Sequence, residues 1–145
     1  MRSNLIRYLC VSIALFAALT LRQEPKTAAQ SQDQSVQVIP MTAKKYEFSP
    51  LSVHIKAGTK VHLKITAMDR DHGFKTTVVP AGVDSSASPG LQFPSPQGND
   101  DWRLKKGKET TIEFLAKTPG TYEFRCSVAC GIHHGRMKGQ LVVDP

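Results

Sequence analysis

Two thiols, two imidazoles and a thioether fall within one short segment, Cys126-Ser-Val-Ala-Cys130-Gly-Ile-His133-His134-Gly-Arg-Met137. Soft sulfur together with imidazole is a ligand set that selects copper or zinc over magnesium or calcium. Three mononuclear or metal-free readings compete for it. A Cys126–Cys130 disulfide would leave His134 and Met137 without a role. A structural zinc site wants a closed tetrahedral set of Cys and His and has no use for Met. A blue-copper site uses one Cys, two His and a weak axial Met, so one cysteine would stand idle.

Ligands so close together must be held by rigid elements on either side, and the flanking sequence has a period of two. Leu51, Val53 and Ile55 alternate with Ser52, His54 and Lys56; Ala57-Gly58 makes a turn; Val61, Leu63 and Ile65 then alternate with Lys60, His62 and Lys64. This pattern predicts two half-buried antiparallel strands. Ile112 and Phe114 repeat it, Pro119-Gly120 makes another turn, and Tyr122, Phe124 and Cys126 share one face of the strand that leads into the ligand segment. Gly139 to Val143 is the last strand. Short strands with Gly and Pro between them predict an all-β antiparallel sandwich or barrel. His54 and His62 point outward on their strands, His133 is exposed on the loop, and Met41 and Met68 belong to the core. Residues 80–101 form a long loop rich in Pro, Gly, Ser, Asn and Asp, tacked to the body by Leu91, Phe93 and Trp102.

The chain has 145 residues, 40% apolar and 21% charged, with 10 Gly and 9 Pro. One domain fits; a disordered chain, a collagen-like fibre and a disulfide-dense miniature scaffold, with only three Cys, do not. The front has the plan of an export signal: Arg2 and Arg7, an uncharged apolar run to Leu21, then a polar stretch ending Thr27-Ala28-Ala29. Residues 1–29 are therefore expected to be a cleaved signal peptide or, because residues 5–21 approach a bilayer span, a single membrane anchor. Residues 30–35 are a tether and 36–145 the domain, which lies in the periplasm or otherwise outside the cytoplasm. Cys10 precedes most of the apolar run, which argues against lipidation there. The formal charge of +7 falls to about +4 once residues 1–29 are set aside. The Lys residues are scattered along strand-like segments, so nucleic acid is not the expected partner.

Cys-Ser-x-x-Cys-Gly-x-x-His-x-x-Met resembles the binuclear copper motif, the CuA site, of cytochrome c oxidase subunit II and of the electron-accepting domain of nitrous oxide reductase. The resemblance covers roughly residues 36–145 and implies a Greek-key cupredoxin-like β-sandwich. It implies that the thiolates of Cys126 and Cys130 bridge two copper ions, with His134 a terminal imidazole, Met137 a weak axial ligand and the Val128 carbonyl a weak contact. The family's second imidazole comes from an upstream loop, matched by Asp69-Arg-Asp-His72-Gly-Phe74, so His72 completes the set and Asp69 matches an acidic family position. Two departures stand out. The oxidase subunit has two membrane helices before the domain, and this chain has at most one; the family's aromatic and acidic docking surface is reduced to Tyr46 and Phe48 on a mildly basic domain.

The resemblance implies an exported one-electron carrier with two coppers and no catalytic site of its own. It would serve a redox partner such as a c-type cytochrome or an oxidase subunit, or be the subunit II-like component of an oxidase. The alternative is a periplasmic protein that stores or delivers copper with the same ligands.

Overall fold

The computed structural model describes residues 35–94 and 100–145, and the fold is the expected all-β, Greek-key sandwich. The expectations for the export segment, for the tether up to residue 34 and for residues 95–99 of the long loop lie outside the described residues. One sheet contains β1 (Val36–Lys44), β2 (Glu47–Ser49), β4 (Thr59–Ala67), β6 (Leu91–Gln92) and β8 (Glu109–Ala116), in the order β2-β1-β4-β8-β6. The other contains β3 (Ser52–Lys56), β5 (His72–Thr76), β7 (Asp101–Leu104), β9 (Gly120–Arg125) and β10 (Lys138–Asp144), in the order β3-β10-β9-β5-β7.

The period-two rows face each other across the core. Val61, Leu63 and Ile65 of β4 are fully buried from one side, and Val53 and Ile55 of β3 with Tyr122 and Phe124 of β9 are buried from the other. Burying such side chains is the main source of stability in a sandwich of this kind. Phe48, Phe74 and Phe124 form an aromatic centre, with ring centroids 5.1–5.8 Å apart.

Five expectations need correction here. β3 and β4 do not form a hairpin, because they belong to different sheets. At their junction Gly58 adopts a φ of +82°, which favours glycine, and the N–H groups of Ala57 and Gly58 donate to Asp144 and Ala116 on opposite sheets. An alternating pattern marks the buried face of each strand but does not say which strand it pairs with. Nor is the sandwich wholly antiparallel: β1 pairs with β4, and β3 with β10, in parallel. Met68 is 57% exposed, since it follows the end of β4, and Leu51, 55% exposed, lies just ahead of β3. Phe48 is buried in the core and offers no docking aromatic.

Other placements hold. Met41 is buried, and His54 is exposed beside Asp144. Leu91 is buried against the sheet, while Phe93 packs between Trp102 and Phe114 at 5.0 and 5.5 Å. The long loop is thus held at its middle and at its C-terminal end.

Candidate metal centre

Cys126 follows β9 directly and continues the inward row of Tyr122 and Phe124, which turns its thiol into the end of the core. From there the chain loops out and returns at Met137. The loop is closed at its base by the Cys126 N–H donating to the Met137 carbonyl at 2.9 Å. A single 3-10 turn, His134–Arg136, carries the second imidazole, and the His134 N–H bonds the Gly131 carbonyl.

This brings the expected side chains together. The two Sγ atoms are 3.8 Å apart. That is nearly twice the disulfide bond length of about 2.05 Å, and both cysteines are free. Cys130 Sγ lies 3.8 Å from His134 Nδ1 and 3.8 Å from Met137 Sδ. Cys126 Sγ lies 4.0 Å from His72 Nδ1, and its thiol points at the Val128 carbonyl at 3.2 Å. His72, Cys126 and Cys130 have ligand atoms all within 4.8 Å of one another. His72, Cys126, Cys130 and Met137 are at most 2% exposed, whereas His134 is half-buried. Water is kept from the sulfurs, and an imidazole edge reaches the surface.

His72 begins β5, and its ring is fixed from behind. Its Nε2 bonds Asp69 Oδ1 at 2.7 Å, which leaves Nδ1 facing the sulfur. The other Asp69 oxygen accepts the Lys45 N–H at 3.1 Å. Partial burial pushes the Asp69 carboxyl up, but the bonds from His72 and Lys45 outweigh it and hold it below its usual range. Burial, reinforced by the neighbouring Cys126, pushes the Cys130 thiol up to about 11. A metal at this position must therefore displace a tightly held proton.

Three features escaped the reading of the sequence. The Gly73 N–H donates to Cys126 Sγ at 3.4 Å, and a Cβ on Gly73 would overlap Ser127 Oγ and stand 3.0 Å from the backbone nitrogens of Ser127 and Val128. A glycine directly after the candidate ligand was the available signal. The Arg70 guanidinium donates to the Cys130 carbonyl at 2.6 Å, tying the upstream loop to the ligand loop. His133 is exposed as expected, but it also meets the ring of Tyr46 edge-on at 5.2 Å. His62, expected to face solvent, is half-buried 3.8 Å from Glu113.

The donor set suits a soft or borderline metal: two thiols and two imidazoles facing one another, with a thioether and a carbonyl at the margins. A closed zinc site accounts less well for the thioether against Cys130.

The Cupredoxin-like domain family matches residues 11–143. Cytochrome c oxidase subunit 2 of Thermus thermophilus is 24% identical over 129 residues, covering 86% of this chain and 82% of that protein. A chain of a heme-copper terminal oxidase dimer superposes with a TM-score of 0.53 at 18% identity, over 74% of this chain and 65% of that one. This chain therefore spans just under two thirds of that oxidase chain. Auracyanin A, a "blue" copper protein from Chloroflexus aurantiacus, superposes with a TM-score of 0.54 at 18% identity, over 76% of this chain and all of that one. At such identities the superpositions speak to the fold alone. The family match covers nearly the whole chain, and the chain belongs to the Cupredoxin-like domain family.

Proposed function

We propose that the chain is an exported electron-transfer protein holding two copper ions of the CuA kind, with Cys126 and Cys130 as bridging thiolates. His72 and His134 would supply the two imidazoles, Met137 its thioether and Val128 its carbonyl oxygen. The observation that carries this reading is the pair of free thiols 3.8 Å apart, each with its own imidazole, His72 beside Cys126 and His134 beside Cys130. A single-copper site of the blue kind leaves one of these two buried thiols unused. The similarity to oxidase subunit 2 supports copper as the metal, and supports a respiratory oxidase or reductase as the setting.

Bound copper would supply one-electron redox chemistry. The chain's part is to keep the geometry fixed. The loop closed at Cys126 and Met137 stands on β9 and β10, and His72 stands on β5 with its tautomer set by Asp69. Ligands held this way have little freedom to rearrange when the charge changes, which keeps the cost of electron transfer low. The core excludes water from the sulfurs, and half-exposed His134 is the route by which an electron enters or leaves.

Copper stoichiometry and a potentiometric titration of the loaded full chain test this reading. It expects two coppers per chain and a reversible one-electron wave. Two coppers that pass readily to a chelator, with no reversible wave, would favour the storage or delivery reading; one copper per chain would remove the binuclear centre. We further propose residues 1–29 as the signal peptide or anchor, 30–35 as the tether and 36–145 as the folded domain. Among the described residues no helix is long and apolar enough to cross a membrane.

A further inference from the structure

The charge of the described residues is concentrated at one end of the sandwich. The strand ends and loops around the ligand loop are the segments 44–47, 68–72, 101–109 and 125–138, which the pairing of β1 with β2 and β4, of β4 with β8 and of β5 with β7 brings to one end. They hold ten Lys and Arg against five Asp and Glu. The remaining described residues hold five of each. All of the net positive charge of the described residues therefore lies on the end that carries Cys126, Cys130 and the two imidazoles.

Pairing sharpens the asymmetry. Asp69 is engaged by His72 and the Lys45 N–H, Asp71 by Arg103, Lys105 and the Lys106 N–H, and Glu47 by Lys44. Lys45, Arg70 and Arg136 have no carboxylate partner among the described residues, and all three are exposed. Each of the three is tied to the site through the chain or a contact. Lys45 precedes Tyr46, which packs on His133; Arg70 is bonded to the Cys130 carbonyl; Arg136 shares a turn with His134. Among them Ile132 is 91% exposed, the most exposed large apolar side chain described.

We infer that this end is a docking face for an acidic electron-transfer protein, with Ile132 at its apolar centre and Lys45, Arg70 and Arg136 as its inner cations. An exposed apolar tip within a field of one sign is suited to a partner of the opposite sign: the field steers the encounter and contact at the tip sets the docked position. The inference rests on the electron-transfer reading, which requires a partner to approach His134. A membrane surface of the same charge would satisfy the cations but would take no electron.

Two measurements on the full chain separate the possibilities. In the first, the metal-free chain is titrated with an acidic and with a basic c-type cytochrome, at low and at moderate ionic strength. The acidic cytochrome should bind and the basic one should not, with affinity falling several-fold between about 20 and about 200 mM salt as the Debye length shrinks. Lys45→Glu and Arg136→Glu should each weaken binding about three- to tenfold, the range expected from reversing one charge at roughly 10 Å. Lys60→Glu and Lys117→Glu, at the opposite end, should change it less than about twofold by the same distance argument. Equal binding of both cytochromes, preference for the basic one, or equal losses from variants at both ends would overturn the inference. So would capture by phosphatidylcholine–phosphatidylserine vesicles that is lost in Lys45→Glu and Arg136→Glu while the acidic cytochrome stays unbound.

In the second, the reduced copper-loaded chain donates one electron to hexacyanoferrate(III), giving hexacyanoferrate(II), or to hexaammineruthenium(III), giving its ruthenium(II) form. The rate with the anion should fall as salt rises and the rate with the cation should increase. The reverse dependence overturns the docking face alone. Failure to reduce either reagent overturns the electron-transfer reading beneath it, and the binding titration tells the two failures apart.

Discussion

Replacing Gly73 by Ala tests whether the close approach of β5 to the ligand loop is what seats Cys126. The added methyl would overlap Ser127 Oγ and stand 3.0 Å from two backbone nitrogens. The hydroxyl can rotate away only by giving up its bond to Asp101, and the two nitrogens are backbone atoms. The loop must therefore back off by several tenths of an ångström, which lengthens the Gly73 N–H contact to Cys126 Sγ beyond its present 3.4 Å. Overpacking of this kind costs about 1–3 kcal/mol, which for a domain of this size lowers the melting temperature by roughly 4–12 °C. Adding Ser127→Ala removes the hydroxyl but leaves the backbone contacts, so the double variant should recover only part of the loss. Thermal unfolding of the metal-free chain gives the stability, and competition with a copper chelator gives the loading. A Gly73→Ala chain with unchanged melting and loading, or full recovery in the double variant, would refute the argument that backbone proximity positions the thiol.

Other substitutions separate the ligands by role. Cys126→Ser and Cys130→Ser should each abolish the binuclear signature, since a hydroxyl is a poor replacement for a bridging thiolate; stoichiometry and the paramagnetic spectrum check this. Met137→Leu should retain two coppers while shifting the reduction potential, and His133→Ala should alter neither by much; voltammetry compares them. Arg70→Met removes a cation that favours the reduced, less positive centre, so the potential should fall, by about tens of millivolts given solvent screening. Asp71 accepts the Lys106 N–H and contacts Lys105 and Arg103, which together hold its carboxyl down at about 2. A carboxyl depressed below its unfolded value of 3.8 stabilises the fold above about pH 4, and the contribution disappears as pH falls through about 2. Asp71→Asn should flatten that acid limb of the unfolding curve without moving the neutral plateau further with pH.

The ligand loop was legible because its donors are local. Cys126, Cys130, His134 and Met137 lie on one short return between two strands, so spacing alone places them near one another. His72 comes from a distant segment, and its assignment depended on a family pattern; the fold sets its Nδ1 4.0 Å from Cys126 Sγ. The buried faces of β4 and β9 were legible from alternation, because each strand is covered on one side only. Pairing was not. The Ala57-Gly58 turn can fold a strand back on its neighbour or carry it across to the other sheet, and the residues at the turn are the same in both cases. Met68 shows the limit of hydrophobicity as a guide: one residue past the end of β4 it has left the pleat and faces water. Arg70 could not be read in advance, since its partner is a carbonyl sixty positions away and backbone acceptors carry no sequence signal.

The most direct test of the central claim is the paramagnetic resonance spectrum of the copper-loaded full chain, recorded with its copper content. Two thiolates shared between two coppers predict two coppers per chain and the hyperfine pattern of a single electron spread equally over two copper nuclei, lost on full reduction. One copper per chain with the hyperfine pattern of a single nucleus would contradict the account and return the site to the mononuclear form with one cysteine idle.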